Sequence, residues 1–396
     1  MFPSKKTFND LIDANLIEAL HQLDISTPTP IQTEIIPLID GQTNNLVSIA
    51  PTGTGKTLAY VLPLLKKIST STEGTQLLVL VPTRELALQV VDVFQHFCSL
   101  YNFNVLSIIG GIHPGKQLRL LKNNPSVIVG TVGRTLDFLE GGHIKPNNIA
   151  HVIFDEGDKM FDMGFRQELE IILKKLPQAI RMYFFSATIT TDINTFLKGF
   201  FNEYQKVIIT KEEKENTLQQ QVYFVDQRNK KRLLLHFLPS VKDKQLIIFC
   251  NTKKGVNFLE KTLKKEHYNC MGWHGGKPQS VRSKALLDFK EGNISILIAT
   301  DVAARGIDID DLELLLNYEV SKHQETFIHR IGRTARAGKS GVAIHFVDGT
   351  EKELFHNITS ELEHQIEVIE HEFPQLEMEE DLERDRIRKI NFRDRR

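Results

Sequence analysis

Short uninterrupted apolar runs recur along the chain, separated by longer segments of mixed polarity. In the first half they are Leu46–Ile49, Leu77–Val81, Ser126–Gly130, Val152–Phe154 and Tyr183–Phe185. The second half repeats the scheme with Leu246–Phe249, Ile294–Ile298, Leu314–Leu316 and Val342–Phe346. Runs of this length without polar alternation suit strands buried on both faces, and the intervening lengths suit crossover helices. The pattern therefore predicts an α/β protein with two tandem domains, each a mostly parallel sheet covered by helices on both faces. Lys211-Glu212-Glu213-Lys214-Glu215-Asn216 carries no apolar residue, which places a linker at 210–217 between domains spanning 1–209 and 218–355. A tail, 356–396, follows: a possible helix near Lys352 to Ile369, an acidic stretch to Glu383, and a basic end that opens with Arg384-Asp385-Arg386.

At 396 residues the chain exceeds the size at which one core usually keeps growing, in keeping with two domains. A formal net charge of −1 gives no global attraction to nucleic acid, so any such contact must come from a local groove. Cys98, Cys250 and Cys270 are widely spaced and form no CxxC pair, which argues against a disulfide framework or a zinc site and for free buried thiols. No secretory leader and no bilayer-length apolar stretch is present in the sequence, so a cytoplasmic protein without a membrane partner is expected.

Two segments carry phosphate chemistry. Ala50-Pro51-Thr52-Gly53-Thr54-Gly55-Lys56-Thr57 stands between an apolar run and a helical segment, Leu58 to Ile68. In such a strand–loop–helix unit, backbone amides at Thr52, Gly53, Thr54 and Gly55 approach phosphate oxygens. Lys56 reaches the β and γ phosphates, and the Thr57 hydroxyl ligates Mg2+. The second is Val152-Ile153-Phe154-Asp155-Glu156-Gly157-Asp158, which sets carboxylates where a buried strand ends. Asp155 can hold Mg2+ while Glu156 orients or activates the attacking water. Taken alone, Asp-Glu-Gly-Asp also suits an exposed turn.

From these motifs and their order the chain resembles a DEAD-box helicase of superfamily two, over nearly its whole length to about Asp348. The resemblance implies two RecA-like domains and an ATP-dependent RNA helicase, with ATP and Mg2+ as ligands. Pro28-Thr29-Pro30-Ile31-Gln32 resembles the Q motif, with Gln32 reading adenine, Phe8 supporting its pocket and Ile25 packing on the adenine face. Pro82-Thr83-Arg84, Gly110-Gly111 and Thr131-Val132-Gly133-Arg134 resemble RNA-contacting elements of the first domain, with contacts implied for Pro82, Thr83, Arg84, Gly110, Gly111, Thr131 and Arg134. Gly157 occupies the third position of the DEAD motif and keeps it free of bulk. Ser186-Ala187-Thr188 resembles the motif that links ATP state to RNA binding, implying coupling by Asp158, Ser186, Thr188 and His329. In the second domain Thr252, Gln279, Arg282 and Thr300 are implied at the RNA or phosphate backbone, Asp308 at the ribose, and Arg333 and Arg336 beside the γ phosphate. A surface salt-bridged helix is the bland alternative for those two arginines. Asn317-Tyr318-Glu319-Val320-Ser321 lacks the usual Asp-x-Pro turn.

The implied partner is single-stranded or partly duplex RNA with little sequence preference, gripped by a monomer, with ribonucleoproteins as further partners. The split placement of these residues implies that ATP and RNA bind with reciprocal coupling. Two rivals remain open: a nucleotide-dependent RNA clamp with little unwinding, and a DNA translocase, against which Gln32 and the acidic tetrad argue. The basic end reads either as an accessory RNA-binding tail or as a solvated terminus pairing with the acidic run before it.

Overall fold

The structure is a computed structural model that describes residues 6–41, 44–51, 53–68, 72–210, 218–301, 312–335, 340–360 and 366–373. The chain divides into two compact units, and, of the expected linker, residues 211–217 lie outside the described residues.

In the first unit the strands are β1 (Asn45–Ile49), β2 (Leu77–Val81), β3 (Val105–Ile108), β4 (Val127–Thr131), β5 (His151–Asp155), β6 (Arg181–Ser186) and β7 (Tyr204–Ile208). They form one seven-stranded sheet in the order β3-β4-β2-β5-β6-β1-β7, with parallel pairing throughout. A central strand of such a sheet is covered on both sides, and β2 shows why its run is unbroken. Leu77, Val79 and Val81 enter one hydrophobic core while Leu78 and Leu80 enter the core on the opposite face.

The second unit contains β8 (Leu218–Phe224), β9 (Leu246–Cys250), β10 (Cys270–Trp273), β11 (Ile296–Thr300), β12 (Leu314–Asn317), β13 (Gly341–Val347) and β14 (Ile366–Val368). They form a second seven-stranded sheet in the order β10-β11-β9-β12-β13-β8-β14, again all parallel. The possible helix over Lys352–Ile369 is instead a helix, Lys352–Thr359, and then β14, which pairs with β8. The helix crosses the limit set at 355 because Phe355 and Ile358 are buried in the second unit's core.

Parallel strands all open onto the same edge of their sheet, so every loop that follows a strand lies on that edge. This gathers the segments after β1, β2, β3, β4, β5 and β6 in the first unit, and those after β9, β10, β11 and β12 in the second. Among the described residues the three cysteines are free, Cys250 and Cys270 buried and Cys98 half-buried, and no helix is long and apolar enough to cross a membrane.

Candidate functional site

The loop after β1 turns through Gly55, whose φ of 90° lies in the left-handed region that glycine takes without strain. A side chain there would also collide with Gln32, because an added Cβ would stand 2.5 Å from Nε2. Gln32 is buried and tied at both ends: Nε2 donates to the Gly55 carbonyl at 3.2 Å, and Oε1 accepts from the Thr29 amide at 2.9 Å. Lys56 opens the helix Lys56–Leu65 and curls back, donating from Nζ to the Ala50 carbonyl at 3.0 Å. The Thr54 hydroxyl closes the loop onto the Pro51 carbonyl at 2.9 Å. Phe8 is buried in the adjoining core and Ile25 half-buried against it. Thr52 lies outside the described residues.

Asp155 ends β5, buried, and accepts a hydrogen bond at Oδ2 from the Tyr60 hydroxyl at 2.8 Å. Burial pushes its carboxyl up to about 6, against the pull of the Lys56 ammonium and with a further upward push from Glu156. Glu156 takes a left-handed conformation, φ 58°, and pairs through Oε1 with the buried Lys159 ammonium at 2.6 Å. Asp158 faces the loop after β6. Its Oδ2 accepts from the amides of Ala187 and Thr188 at 3.0 and 3.1 Å and from the Thr188 hydroxyl at 3.4 Å. The Ser186 hydroxyl accepts from the Asp158 amide at 3.2 Å and donates to the Thr188 carbonyl at 2.6 Å. The acidic motif and the Ser-Ala-Thr motif are thus one hydrogen-bonded body.

Farther along the same edge, Thr83 caps the helix Arg84–Tyr101 by accepting from the Leu86 amide at 3.3 Å. The Arg84 guanidinium lies across Gly110-Gly111, where an added Cβ at Gly111 would stand 2.5 Å from Cζ. Thr131 accepts from the Gly110 amide at 3.4 Å, and Arg134 donates to the Ile112 carbonyl at 3.1 Å. Buried Gln117 braces both polar groups of Ile109, at 2.7 and 3.1 Å. Pro82, Thr83, Arg84, Gly110, Gly111, Thr131 and Arg134 therefore stand together, and Gln117 is a support that the motif pattern did not reveal.

In the second unit Thr252 caps the helix Lys253–Lys265 by accepting from the Gly255 amide at 3.0 Å, the counterpart of Thr83. Gln279 begins the helix Gln279–Lys290. Arg282 is buried, its guanidinium 4.7 Å from the centre of the Trp273 ring. Thr300 is buried where β11 ends.

The hub of this edge is Arg330, which the motif pattern did not single out. It reaches both carboxylate oxygens of Asp301, through Nε to Oδ1 and through Nη2 to Oδ2 at 2.7 Å. It also reaches Asn251 Oδ1 at 2.8 Å, Asn317 Oδ1 at 3.0 Å and the Glu319 carbonyl at 2.7 Å. All five guanidinium donors are engaged. Glu319 in turn accepts from the Asn251 amide at 2.5 Å, so the departure at Asn317–Ser321 supports the loop that carries Thr252. His329 is half-buried on the helix Gln324–Ile331 and Arg333 is buried just beyond it. Asp308 and Arg336 lie outside the described residues.

A family profile for the DEAD/DEAH box helicase matches residues 29–196, and one for the helicase conserved C-terminal domain matches residues 229–338. The DEAD-box ATP-dependent RNA helicase CshA of Bacillus subtilis is 39% identical over 355 residues, which span 89% of this chain and 72% of that one. The chain belongs to the DEAD-box helicase family. Each unit of this DEAD-box protein is RecA-like. S. cerevisiae Dbp5 bound to RNA and ADP BeF3 superposes with a TM-score of 0.83 at 28% identity, covering 92% of this chain and 95% of that one. Mss116p (NTE and C-tail double deletion) bound to ssRNA and AMP-PNP gives a TM-score of 0.83 at 25% identity, covering 93% and 80%.

Proposed function

We propose that this DEAD-box protein is an RNA-dependent ATPase that uses ATP binding and hydrolysis to unwind short RNA duplexes or remodel ribonucleoprotein. The observation that carries the reading is the buried cluster of Lys56, Asp155, Glu156 and Asp158, with Asp158 bonded directly to Ala187 and Thr188. Its nucleotide half fits a triphosphate: a glycine cradle with no room for a Cβ at Gly55, and an ammonium folded into the loop. Thr57 and Asp155 would hold Mg2+, which when bound neutralises charge building on the phosphate oxygens.

Hydrolysis joins a water oxygen to the γ phosphorus and breaks the bond to the β-phosphate oxygen. Glu156 orients that water and accepts its proton, while Lys56 and, from the second unit, Arg333 and Arg336 balance the charge on the transferring group. The hydrogen-bonded body linking Asp158 to Ser186 and Thr188 passes the state of the nucleotide to the edge where RNA lies. Phosphate and 2′-hydroxyl contacts at Thr83, Arg84, Gly110, Gly111, Thr131, Arg134 and Thr252 predict low sequence preference and binding that weakens with salt. A cytoplasmic monomer with ribonucleoprotein partners completes the proposal.

The test is ATP hydrolysis without nucleic acid, with single-stranded RNA and with matching DNA, for the wild type beside Glu156→Gln. Stimulation by RNA that disappears in the variant supports the reading, and indifference to RNA overturns it. A duplex-unwinding assay then separates a helicase from a clamp that binds without unwinding.

A further inference from the structure

Gly157 and Phe184 occupy adjoining space so closely that only one of them can carry bulk. Gly157 opens the short helix Gly157–Asp162 directly after Glu156. A Cβ built there would stand 2.6 and 2.7 Å from the two ε carbons of Phe184, and closer still to Cζ. Comfortable carbon–carbon contact begins near about 3.5 Å. Phe184 lies on β6, fully buried, with its ring centroid 5.7 Å from that of Phe154 and 6.2 Å from that of Phe201. Phe154 is held in turn by Phe196 and Phe201, each at 6.0 Å. Moving the Phe184 ring therefore means moving its aromatic neighbours, because protein interiors are packed like crystals. Any bulk added at Gly157 is relieved more readily by lifting the helix start, which carries Glu156 on one side and Asp158 on the other.

We infer that Phe184 is a positioning residue for the ATPase carboxylates and that Gly157 is its required complement. The ring fills the place a side chain at the third position of the motif would take, and so fixes the height at which Glu156 and Asp158 are presented. The inference rests on the assignment of Glu156 to hydrolysis. It gives Gly157 a steric reason: placing alanine at this position in this chain is harmful unless the ring is cut back as well.

The experiment is a double-mutant cycle on the full-length protein with Gly157→Ala, Phe184→Leu and the pair together, reading kcat and KM for ATP with saturating RNA and the thermal melting point. Glu156→Gln runs alongside. Gly157→Ala should lower kcat by about tenfold or more while KM for ATP moves by less than about threefold, because the phosphate loop itself is untouched. Phe184→Leu alone, which only opens space, should fold and should lower kcat by a few-fold, on the order of the loosening a core truncation causes. The double variant should recover to within about threefold of wild type, since cavity and added methyl offset one another. If Gly157→Ala proves too unstable to assay, recovery in the double variant alone decides the matter. Wild-type kcat in Gly157→Ala, or a double variant no better than its worse parent, would overturn the pairing. Melting points that shift while kcat does not would reduce Phe184 to a packing residue and overturn it equally. Undiminished turnover in Glu156→Gln would instead remove the catalytic assignment on which the pairing stands.

Discussion

The Tyr60 hydroxyl donates to Asp155 Oδ2 at 2.8 Å, and both residues are buried. The bond ties the helix behind the phosphate loop to the carboxylate at the end of β5, with the Tyr60 ring held 5.2 Å from Phe185. Tyr60→Phe keeps that packing and deletes one hydrogen bond from a buried carboxylate. A bond of this kind contributes about 1–3 kcal/mol, so the Mg2+ concentration for half-maximal ATPase should rise by about 5-fold or more. An unchanged Mg2+ titration would show that Asp155 does not depend on Tyr60.

Arg333 is buried in the second unit, just beyond the helix Gln324–Ile331, whereas the phosphate loop's own cation is Lys56. Arg333→Ala should lower RNA-stimulated ATP turnover by about 10³-fold or more, by the logic of arginine fingers. Near-normal turnover in that variant would remove the arginine from the reaction.

Arg330 engages all five of its donors, two of them on Asp301. Lysine carries the charge but not the planar fork, so Arg330→Lys leaves buried partners unmatched. Denaturant unfolding should show a loss on the order of 1–3 kcal/mol for the second unit. RNA affinity should fall with it, since Asn251 and Glu319 hold the loop that carries Thr252.

Each unit also buries a neutral histidine. Burial holds His345 down to about 3, helped by the Arg330 charge, and holds His151 down to about 4, helped by Arg181 and Lys67. An unfolded histidine takes up its proton near about 6.5, so below that pH the unfolded chain binds more protons than the folded one. The stability these two histidines contribute is therefore full above about 6.5 and is lost progressively as pH falls toward 3–4. Chemical denaturation across that window should show the decline, and His345→Gln should flatten the share belonging to the second unit.

Much of this was legible in the sequence, and what was hidden was hidden for physical reasons. Each of the nine apolar runs read as a strand became one, covered on both faces. Of the strands without such a run, β3, β7, β10 and β14 are the four sheet edges, and β8 stands next to one with three glutamines. The edge strands β7 and β14 are half-buried or exposed throughout and interleave polar residues, so no run survives to be read there, while β3 and β10 are only four residues long. The phosphate loop and the acidic motif announce themselves because their chemistry needs neighbouring residues at fixed spacing. Tyr60 and Arg330 do not, because their partners lie 95 and 79 positions away, at Asp155 and Asn251. Gly157 was visible as a departure, but its reason sits in the ring of Phe184, on another strand.

The strand order has a consequence for how the protein is born. Among the described residues β1, which leads into the phosphate loop, pairs only with β6 and β7: Leu46 with Tyr183, Asn45 with Tyr204. β2, β4 and β5 can join earlier, but β1 must wait for chain made more than a hundred residues later. Such distant pairings form slowly, and synthesis proceeds from the amino terminus. Nucleotide-binding competence is thus expected late in the folding of the first unit. A nascent chain that stops short of Arg181 carries the whole phosphate-loop sequence and has no strand against which to set it.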